Sequence, residues 1–192
     1  NTTAGYNAVA LFGDDGVGLP YVWINGDSNN TGTGDANGAN LYGKGWCSRL
    51  FGIDVPVINT SFDGRQAGGD HQYQLRYALG VTDILFPLVI NDISSNVGNQ
   101  TAATTMTRII SACVEMKKWA PNAHIWKSDA VPNTTSTDSW ATVEGQAPLA
   151  SEPQRLLINA WINDGCPINS SNNSAAVTGS TAAGVIRAGR RI

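Results

Sequence analysis

The sequence predicts a three-layer α/β/α sandwich built on a parallel sheet, and two observations predict it. Short apolar runs of strand length alternate along the chain with longer segments that repeat at a helical period. The most apolar run, residues 84–90 (ILFPLVI), has the composition of a strand that is buried on both faces. Strands that alternate with helices form βαβ units, whose crossovers place helices on both faces of one parallel sheet. The 192 residues suffice for one such domain.

The first half of the chain is predicted to hold two strands and two helices. Residues 20–25 (PYVWIN) and 55–59 (VPVIN) are short apolar runs and are the two strands. Between them, residues 39–51 carry an apolar stripe at helical spacing. Residues 72–79 form a second helix, which Gly80 ends because glycine adopts the left-handed conformation of a helix stop.

The second half is predicted to alternate in the same way. Residues 84–90 are the central strand, in which Pro87 would impose a bulge because proline has no N–H for the ladder. Residues 101–119 are the clearest helix, 123–127 (AHIWK) a fourth strand and 153–163 a further amphipathic helix. The apolar positions of this last helix are Leu156, Leu157, Ala160 and Trp161.

The chain divides into a lead-in at residues 1–18, an α/β domain at 19–168 and a small, polar, aperiodic tail at 169–192. A sheet of this kind normally continues into another central strand after its last helix, and only residues 166–168 resemble a fragment of one. We therefore expect four parallel strands, with the last strand missing or displaced. The arginines of residues 187–191 are expected to lie in a solvated tail.

The composition narrows the classes of partner. Charged residues make up 14% of the chain, and the net charge of -3 with a pI near 5.2 argues against nucleic acid and against an anionic membrane surface. No apolar run reaches the roughly 20 residues of a transmembrane helix. A chain rich in Asn, Thr, Ser and Gly and poor in Lys favours an extracellular or surface-exposed setting.

The three cysteines indicate neither a metal site nor a disulfide framework. Cys47, Cys113 and Cys166 lie far apart and share no Cys-x-x-Cys spacing. Buried free thiols are the simpler interpretation, although one pair could bridge, and the sequence does not decide which. No metal and no organic cofactor is expected.

The residues that follow the predicted strands indicate where the chemistry lies. In an open parallel sheet, ligands bind beyond the carboxyl ends of the strands. The first strand is followed by Gly26-Asp27-Ser28-Asn29, the second by residues 59–64, which end in Gly64, and the third by Asn91-Asp92. A serine, a glycine and an asparagine thus come to one edge. Acyl transfer needs a hydroxyl nucleophile and N–H donors aimed at the developing oxyanion, and these residues supply both.

These motifs resemble the sequence blocks of the SGNH/GDSL hydrolase superfamily. Gly26-Asp27-Ser28-Asn29 is similar to the family's first block, Gly64 to the glycine of its second and Asn91-Asp92 to the Asn-Asp pair of its third. Their order, spacing and position at strand ends extend the resemblance over roughly residues 21–161. The resemblance implies a flavodoxin-like three-layer fold and a GDSL-like esterase or acetylesterase.

The resemblance also implies a role for each of these residues. Ser28 would be the nucleophile, and the backbone N–H groups of Ser28 and Gly64 together with the Asn91 side chain would form the oxyanion hole. Asp27 and Asp92 would have structural roles.

The chain departs from the family pattern at two places. Ile90 stands where the family usually has glycine before its Asn-Asp pair. The family's C-terminal Asp-x-x-His is absent from this chain, whose histidines are His71, early in the chain, and His124, inside a predicted buried strand. We interpret both histidines as structural. We therefore expect the catalytic Asp and His on a segment that was removed or that a separate chain supplies, and a degenerate, inactive relative is the alternative.

The expected function is removal of an acyl group, in first place acetyl, from an oxygen ester of a small molecule or a carbohydrate. The alternative is a catalytically degenerate domain that acts as a carbohydrate-binding or structural module. The glycines of residues 32–38 superficially resemble a dinucleotide-binding loop, but no acidic residue closes the second strand. Trp140, in the polar loop at residues 133–145, is the best candidate among the tryptophans for contact with a ligand.

Overall fold

The computed structural model describes residues 20–33, 45–51, 55–69, 80–167 and 187–188. Its elements in chain order are β1 (Val22–Ile24), α1 (Ser28–Thr31), α2 (Trp46–Phe51), β2 (Val57–Asn59), β3 (Asp83–Leu85), α3 (Ile90–Ile93), α4 (Ala102–Trp119), β4 (His124–Lys127), β5 (Thr134–Ser136), β6 (Gln146–Pro148), α5 (Glu152–Asn163) and β7 (Arg187–Ala188). The predicted lead-in and the predicted helix at 72–79 lie outside the described residues. None of the described helices is long and apolar enough to cross a membrane.

Five strands form one parallel sheet in the order β2-β1-β3-β4-β7. Val22 of β1 pairs with Val57 of β2 on one side and with Asp83 of β3 on the other, and Asp83 pairs in turn with His124 of β4. Because every pair is parallel, the carboxyl ends of all five strands lie along one edge, which we call the carboxyl edge. The predicted α/β class with a parallel sheet is confirmed.

The core lies on both faces of this sheet because successive strand residues point to opposite sides. Trp23, Ile84 and Ile125 are fully or almost fully buried on the face that packs against α4 and α5. Val22, Ile24 and Leu85 form a second, smaller cluster on the opposite face. In α4 the predicted apolar face is confirmed, with Ile109, Ile110 and Cys113 buried.

The central strand is shorter than the prediction at residues 84–90. β3 comprises Asp83–Leu85 and ends two residues before Pro87. Phe86 still donates its N–H to the carbonyl of Trp126 at 2.9 Å, but the chain then leaves the sheet and enters α3 at Ile90. Since Pro87 has no N–H to donate, it lies beyond the ladder, and the predicted bulge is wrong.

The last strand is displaced along the chain and not missing, and residues 166–167, the described part of the predicted fragment, form no strand. Arg187–Ala188 pair in parallel with Trp126 and Lys127 of β4, so a short fifth strand covers the edge of the sheet. These two residues belong to the stretch that we expected to be a solvated tail. The unpaired N–H and C=O groups of the β4 edge give a physical reason for this pairing, which composition alone does not reveal.

Helix α5 buries only part of the predicted apolar face, since Trp161 is buried as predicted and the two leucines are not. Leu156 and Leu157 are 55% and 57% exposed, whereas Ile158 and Ile162 are buried. Arg155 explains the difference, because it pairs with Glu152 and donates to the carbonyl of Ala130 at 3.0 Å. These bonds place a charged residue on the buried face of the helix, and the leucines beside it point outward.

Candidate active site

Ser28 is the first residue of α1, and the ends of this short helix are fixed by its own side chains. The Asp27 carboxylate accepts the Asn29 N–H at 2.9 Å, and the Asn30 side-chain oxygen accepts the Asp27 N–H at 3.0 Å. Gly32 ends the helix at φ 80°. This capping box fixes the start of the helix, and with it Ser28, in the segment after β1 at the carboxyl edge. Within the described part of the chain, no side chain bonds the half-buried Ser28 hydroxyl.

The loop that follows β2 is bonded to the loop that carries Ser28. Gly26 donates its N–H to the Ser61 hydroxyl at 3.0 Å, and the Asp63 carboxylate accepts the hydroxyl of Thr31 at 3.0 Å. Gly64 comes next, exposed and at φ 74°, and a Cβ atom built on it would meet no atom within 4 Å. The positive φ requires glycine, and the open space above it lets a ligand approach the backbone.

Asn91 lies beside this loop, in the first turn of α3. Its side-chain Nδ2 donates to the carbonyl of Arg65, the residue after Gly64, at 3.1 Å. An Asn amide has two N–H groups, so this bond fixes the orientation of the amide and leaves the second N–H for a ligand. Ile90, which replaces the family's usual glycine, is the first residue of the same helix.

Asp92 joins the loop after β2 to α3 and α4. Its fully buried carboxylate accepts the N–H of Ala67 at 2.8 Å and forms an ion pair with Arg108 at 3.2 Å. Burial raises the pKa of Asp92, while the bonds from Ala67, Arg108 and Gly68 oppose the shift. Burial likewise raises the pKa of Asp27. The geometry therefore agrees with a structural role for Asp92.

Lys127 is a residue at this edge that the sequence analysis missed. It is fully buried at the carboxyl end of β4, where its Nζ donates to the carbonyl of Leu88 at 2.9 Å. Burial lowers the pKa of Lys127 to about 8, and attraction to Cys113, Cys166, Asp92 and Asp27 opposes this shift. A buried amine thus lies within electrostatic reach of both carboxylates that fix the Ser28 and Asn91 loops. A lysine that ends an otherwise apolar core strand was the available signal.

This amine should make stability depend on pH. Folded Lys127 releases its proton near pH 8, whereas an unfolded lysine holds its proton up to 10.5. The unfolded state therefore binds more protons between these values, and stability rises with pH. We expect the unfolding free energy of wild type, relative to Lys127→Met, to increase by about 1 kcal/mol from pH 8 to 9. Urea unfolding at pH 7, 8 and 9 measures this difference in unfolding free energy. Lys118→Met, which changes an exposed lysine, is the control. A difference that stays constant with pH would contradict the shift.

The described histidine does not lie at the carboxyl edge. His124 begins β4 and pairs with Asp83, the first residue of β3, so it lies at the opposite edge of the sheet from Ser28. Its side chain is exposed rather than buried as predicted, and its Nδ1 lies 3.6 Å from the Asp83 carboxylate. His71 lies outside the described residues. Among the described residues, no histidine can act as the base for Ser28.

A cavity of about 1250 Å³ lies next to the Ser28 loop, on the face of the sheet that carries Val22 and Leu85. Asp27 and Asn29, the two neighbours of Ser28, line it together with Lys127. It is larger than the roughly 300–1,000 Å³ that is typical of small-molecule sites. It extends along this face from the carboxyl edge, where parallel sheets bind ligands, to Asp83 at the start of β3.

No protein-family model matches the sequence, and no curated protein matches it. Among solved structures, the chain is similar to a carbohydrate acetylesterase from Sinorhizobium meliloti, with a TM-score of 0.51 and 17% identity over 76% of this chain and 80% of that one. It is also similar to phospholipase A1 from Streptomyces albidoflavus, with a TM-score of 0.51 and 16% identity over 90% and 79% of the two chains. The chain has the SGNH hydrolase fold.

The match to a psychrotrophic esterase from Pseudoalteromonas has a TM-score of 0.44 and 21% identity, and it covers 59% of this chain. This chain spans 62% of that esterase, which is less than two thirds of its length. In this fold, Ser28, Gly64 and Asn91 lie in the segments that follow β1, β2 and β3, three neighbouring strands of the sheet. Their roles in catalysis stay predictions.

Proposed function

We propose that this chain is the larger part of a serine ester hydrolase. The Ser28 Oγ attacks the ester carbonyl carbon, and its proton passes to a histidine. The Ser28 and Gly64 N–H groups and the Asn91 amide stabilise the oxyanion. The bond to the alcohol breaks as the histidine returns the proton to the alcohol oxygen, which leaves an acyl-enzyme. Water then attacks the acyl carbon and gives a proton to the histidine. The bond from this carbon to Oγ breaks, Oγ takes up that proton, and the carboxylic acid leaves.

The observation that carries this proposal is the bonding between the three loops at the carboxyl edge. The Ser28 loop is bonded to the loop after β2 through Gly26 and Ser61. That loop is bonded to Asn91 through the Arg65 carbonyl. Three short motifs at distant positions in the chain thus belong to one hydrogen-bonded unit, which fits a nucleophile with its oxyanion donors.

We propose that a segment carrying Asp-x-x-His, on a separate chain or a longer form of this one, supplies the base. A serine hydroxyl is a weak nucleophile near neutral pH unless a base removes its proton. Intact mass in denaturant and under native conditions, measured beside p-nitrophenyl acetate hydrolysis, tests this proposal. We expect additional polypeptide together with hydrolysis. Hydrolysis by a molecule that ends at Ile192 without a partner would contradict the outside base.

The substrate that we favour is an O-acetyl group on a carbohydrate, in an extracellular or surface-exposed setting. The similarity to a carbohydrate acetylesterase and the Lys-poor, Asn- and Thr-rich composition support this choice.

A second candidate function is a degenerate, carbohydrate-binding or structural module. The lack of a histidine near Ser28 among the described residues favours it. Background-level hydrolysis by the full natural assembly would decide for this second function.

Removal of the Asn91 amide should slow the chemical step. Asn91→Ala removes a donor from the oxyanion hole, and we expect kcat for p-nitrophenyl acetate to fall by about 10²- to 10³-fold with little change in KM. Steady-state kinetics measures it, with Asn96→Ala, an exposed asparagine in the following turn, as the matched control. An equal loss in both variants, or a loss in KM alone, would contradict the role of Asn91.

A further inference from the structure

The polar segment after β4 is a β-hairpin that leaves the sheet at the carboxyl edge. Its strands, β5 and β6, pair in antiparallel register with Thr135 opposite Ala147. Residues 128–133 connect them to Lys127, the last residue of β4. β4 is two strands away from β1 in the sheet, which is a distance of about 10 Å. The chain therefore leaves the sheet towards the hairpin on the same edge as Ser28 and to one side of it.

The loop at residues 137–145 is held in shape by Asp138. Its carboxylate accepts the Thr142 N–H at 2.9 Å, the Thr142 hydroxyl at 2.6 Å and the Ser136 hydroxyl at 2.8 Å. Gly145 packs so closely that a Cβ atom there would lie 2.3 Å from the Asp138 carboxyl carbon. These bonds lower the pKa of Asp138, so the carboxylate stays charged and bonded at neutral pH. The loop is ordered by its own contacts.

This loop holds Trp140 out from the surface. Ser139 and Trp140 have φ values of 57° and 62°, a region that residues with a side chain rarely adopt. Trp140 is 61% exposed, and its N–H groups donate to the hairpin itself, the backbone N–H to Ser136 at 2.6 Å and Nε1 to Thr134 at 3.4 Å. An exposed indole on strained backbone contributes little to the core, and such strain is typical of ligand contacts.

The chemistry around the ring selects the ligand. Residues 133–148 contain no Lys or Arg and carry two acidic residues, Asp138 and Glu144. Anionic lipid headgroups and nucleic acid phosphates are therefore poor partners. The ring Nε1 instead lies 3.4 Å from the Thr134 hydroxyl, and the Ser136 hydroxyl accepts the backbone N–H of Trp140. An aromatic face beside neutral hydroxyl groups suits a sugar, which offers C–H groups on one face and hydroxyls at its rim.

We propose that Trp140 is the platform of a sugar subsite, which binds a residue of a neutral polysaccharide beyond the residue whose ester Ser28 attacks. The link between this subsite and the reaction at Ser28 rests on the proposed function. Binding of the polysaccharide to Trp140 can be measured without catalysis. The hairpin would hold the polymer while Ser28 acts on an acetyl group some distance along it. Nothing in this binding step forms or breaks a covalent bond.

The test measures binding in the inactive Ser28→Ala protein, by affinity electrophoresis in gels that contain acetylated xylan or acetylated glucomannan. We expect at least one of these polymers to retard the protein. Ser28→Ala/Trp140→Ala should bind that polymer roughly tenfold more weakly, and Ser28→Ala/Trp140→Tyr should recover most of the affinity. Ser28→Ala/Trp119→Ala, which removes an exposed tryptophan at the end of α4, should bind normally.

Three results would overturn the subsite: no retardation by either polymer, retardation that survives Trp140→Ala, or Trp140-dependent binding to phosphatidylserine vesicles in place of the polymers. Hydrolysis of p-nitrophenyl acetate by the wild-type protein is measured in parallel. Trp140-dependent binding with no Ser28-dependent hydrolysis would contradict the proposed function and support the subsite. Ser28-dependent hydrolysis without Trp140-dependent binding would support the proposed function and contradict the subsite.

Discussion

Ser28→Ala should reduce p-nitrophenyl acetate hydrolysis by about 10⁴-fold or to the uncatalysed rate, because the acyl-enzyme cannot form without the hydroxyl oxygen. The fold should be unaffected, since among the described residues no side chain bonds this hydroxyl. Steady-state kinetics on the complete natural protein measures the effect. In urea unfolding, the free energy of unfolding of this variant should lie within about 0.5 kcal/mol of the wild-type value.

The matched control for this change is Ser95→Ala, which removes the hydroxyl of an exposed serine after α3. Its hydrolysis should equal that of wild type. If Ser28→Ala kept even a tenth of the wild-type rate while remaining folded, the nucleophile would be another residue.

Asp92→Ala should destabilise the protein by about 3 kcal/mol, because it leaves the N–H of Ala67 and the guanidinium of Arg108 without their buried partner. Removal of one partner from a buried ion pair costs about 3–5 kcal/mol. We expect the low end of this range because the Arg108 side chain is 30% exposed to water. The loop after β2 should loosen, and hydrolysis should fall with it. Urea unfolding at pH 7 measures the loss.

Two further variants separate the causes of this effect. Asp92→Asn keeps an acceptor for the Ala67 N–H and loses only the charge, so we expect a loss of about half as much. Asp164→Ala removes an exposed carboxylate after α5 and should change stability by less than about 0.5 kcal/mol. An Asp92→Ala protein as stable as wild type would show that this carboxylate does not hold the loops together.

The alternation of apolar runs was enough to predict the parallel sheet, because strands buried on both faces have few polar residues. The alternation did not predict where β3 ends. The apolar run continues to residue 90, but the strand stops at Leu85, before Pro87. The sequence pattern predicted the burial of Trp161 in α5 but not the exposure of Leu156 and Leu157. The bond from Arg155 to the Ala130 carbonyl, which is distant in sequence, helps to set that face. β7 was missed because two residues at a sheet edge have no periodicity to detect.

The positions of the site residues could be predicted better than these details, because each lies in the segment that follows a strand of the parallel sheet. Ser28, Gly64 and Asn91 occupy the carboxyl edge as expected, and the bonds of Asp27 and Asp92 agree with structural roles. Lys127 was missed although a lysine at the end of an apolar strand was a signal, because its burial depends on packing beneath loops that the sequence does not position.

The most direct test of the account is whether Ser28 is an activated nucleophile. The complete natural protein is treated with a fluorophosphonate, which phosphonylates serines whose hydroxyl is deprotonated by a base. Peptide mass mapping then locates the adduct. We expect one adduct, on Ser28, and none in the Ser28→Ala protein. An adduct on a different serine, or no adduct on a protein that hydrolyses p-nitrophenyl acetate, would contradict the account.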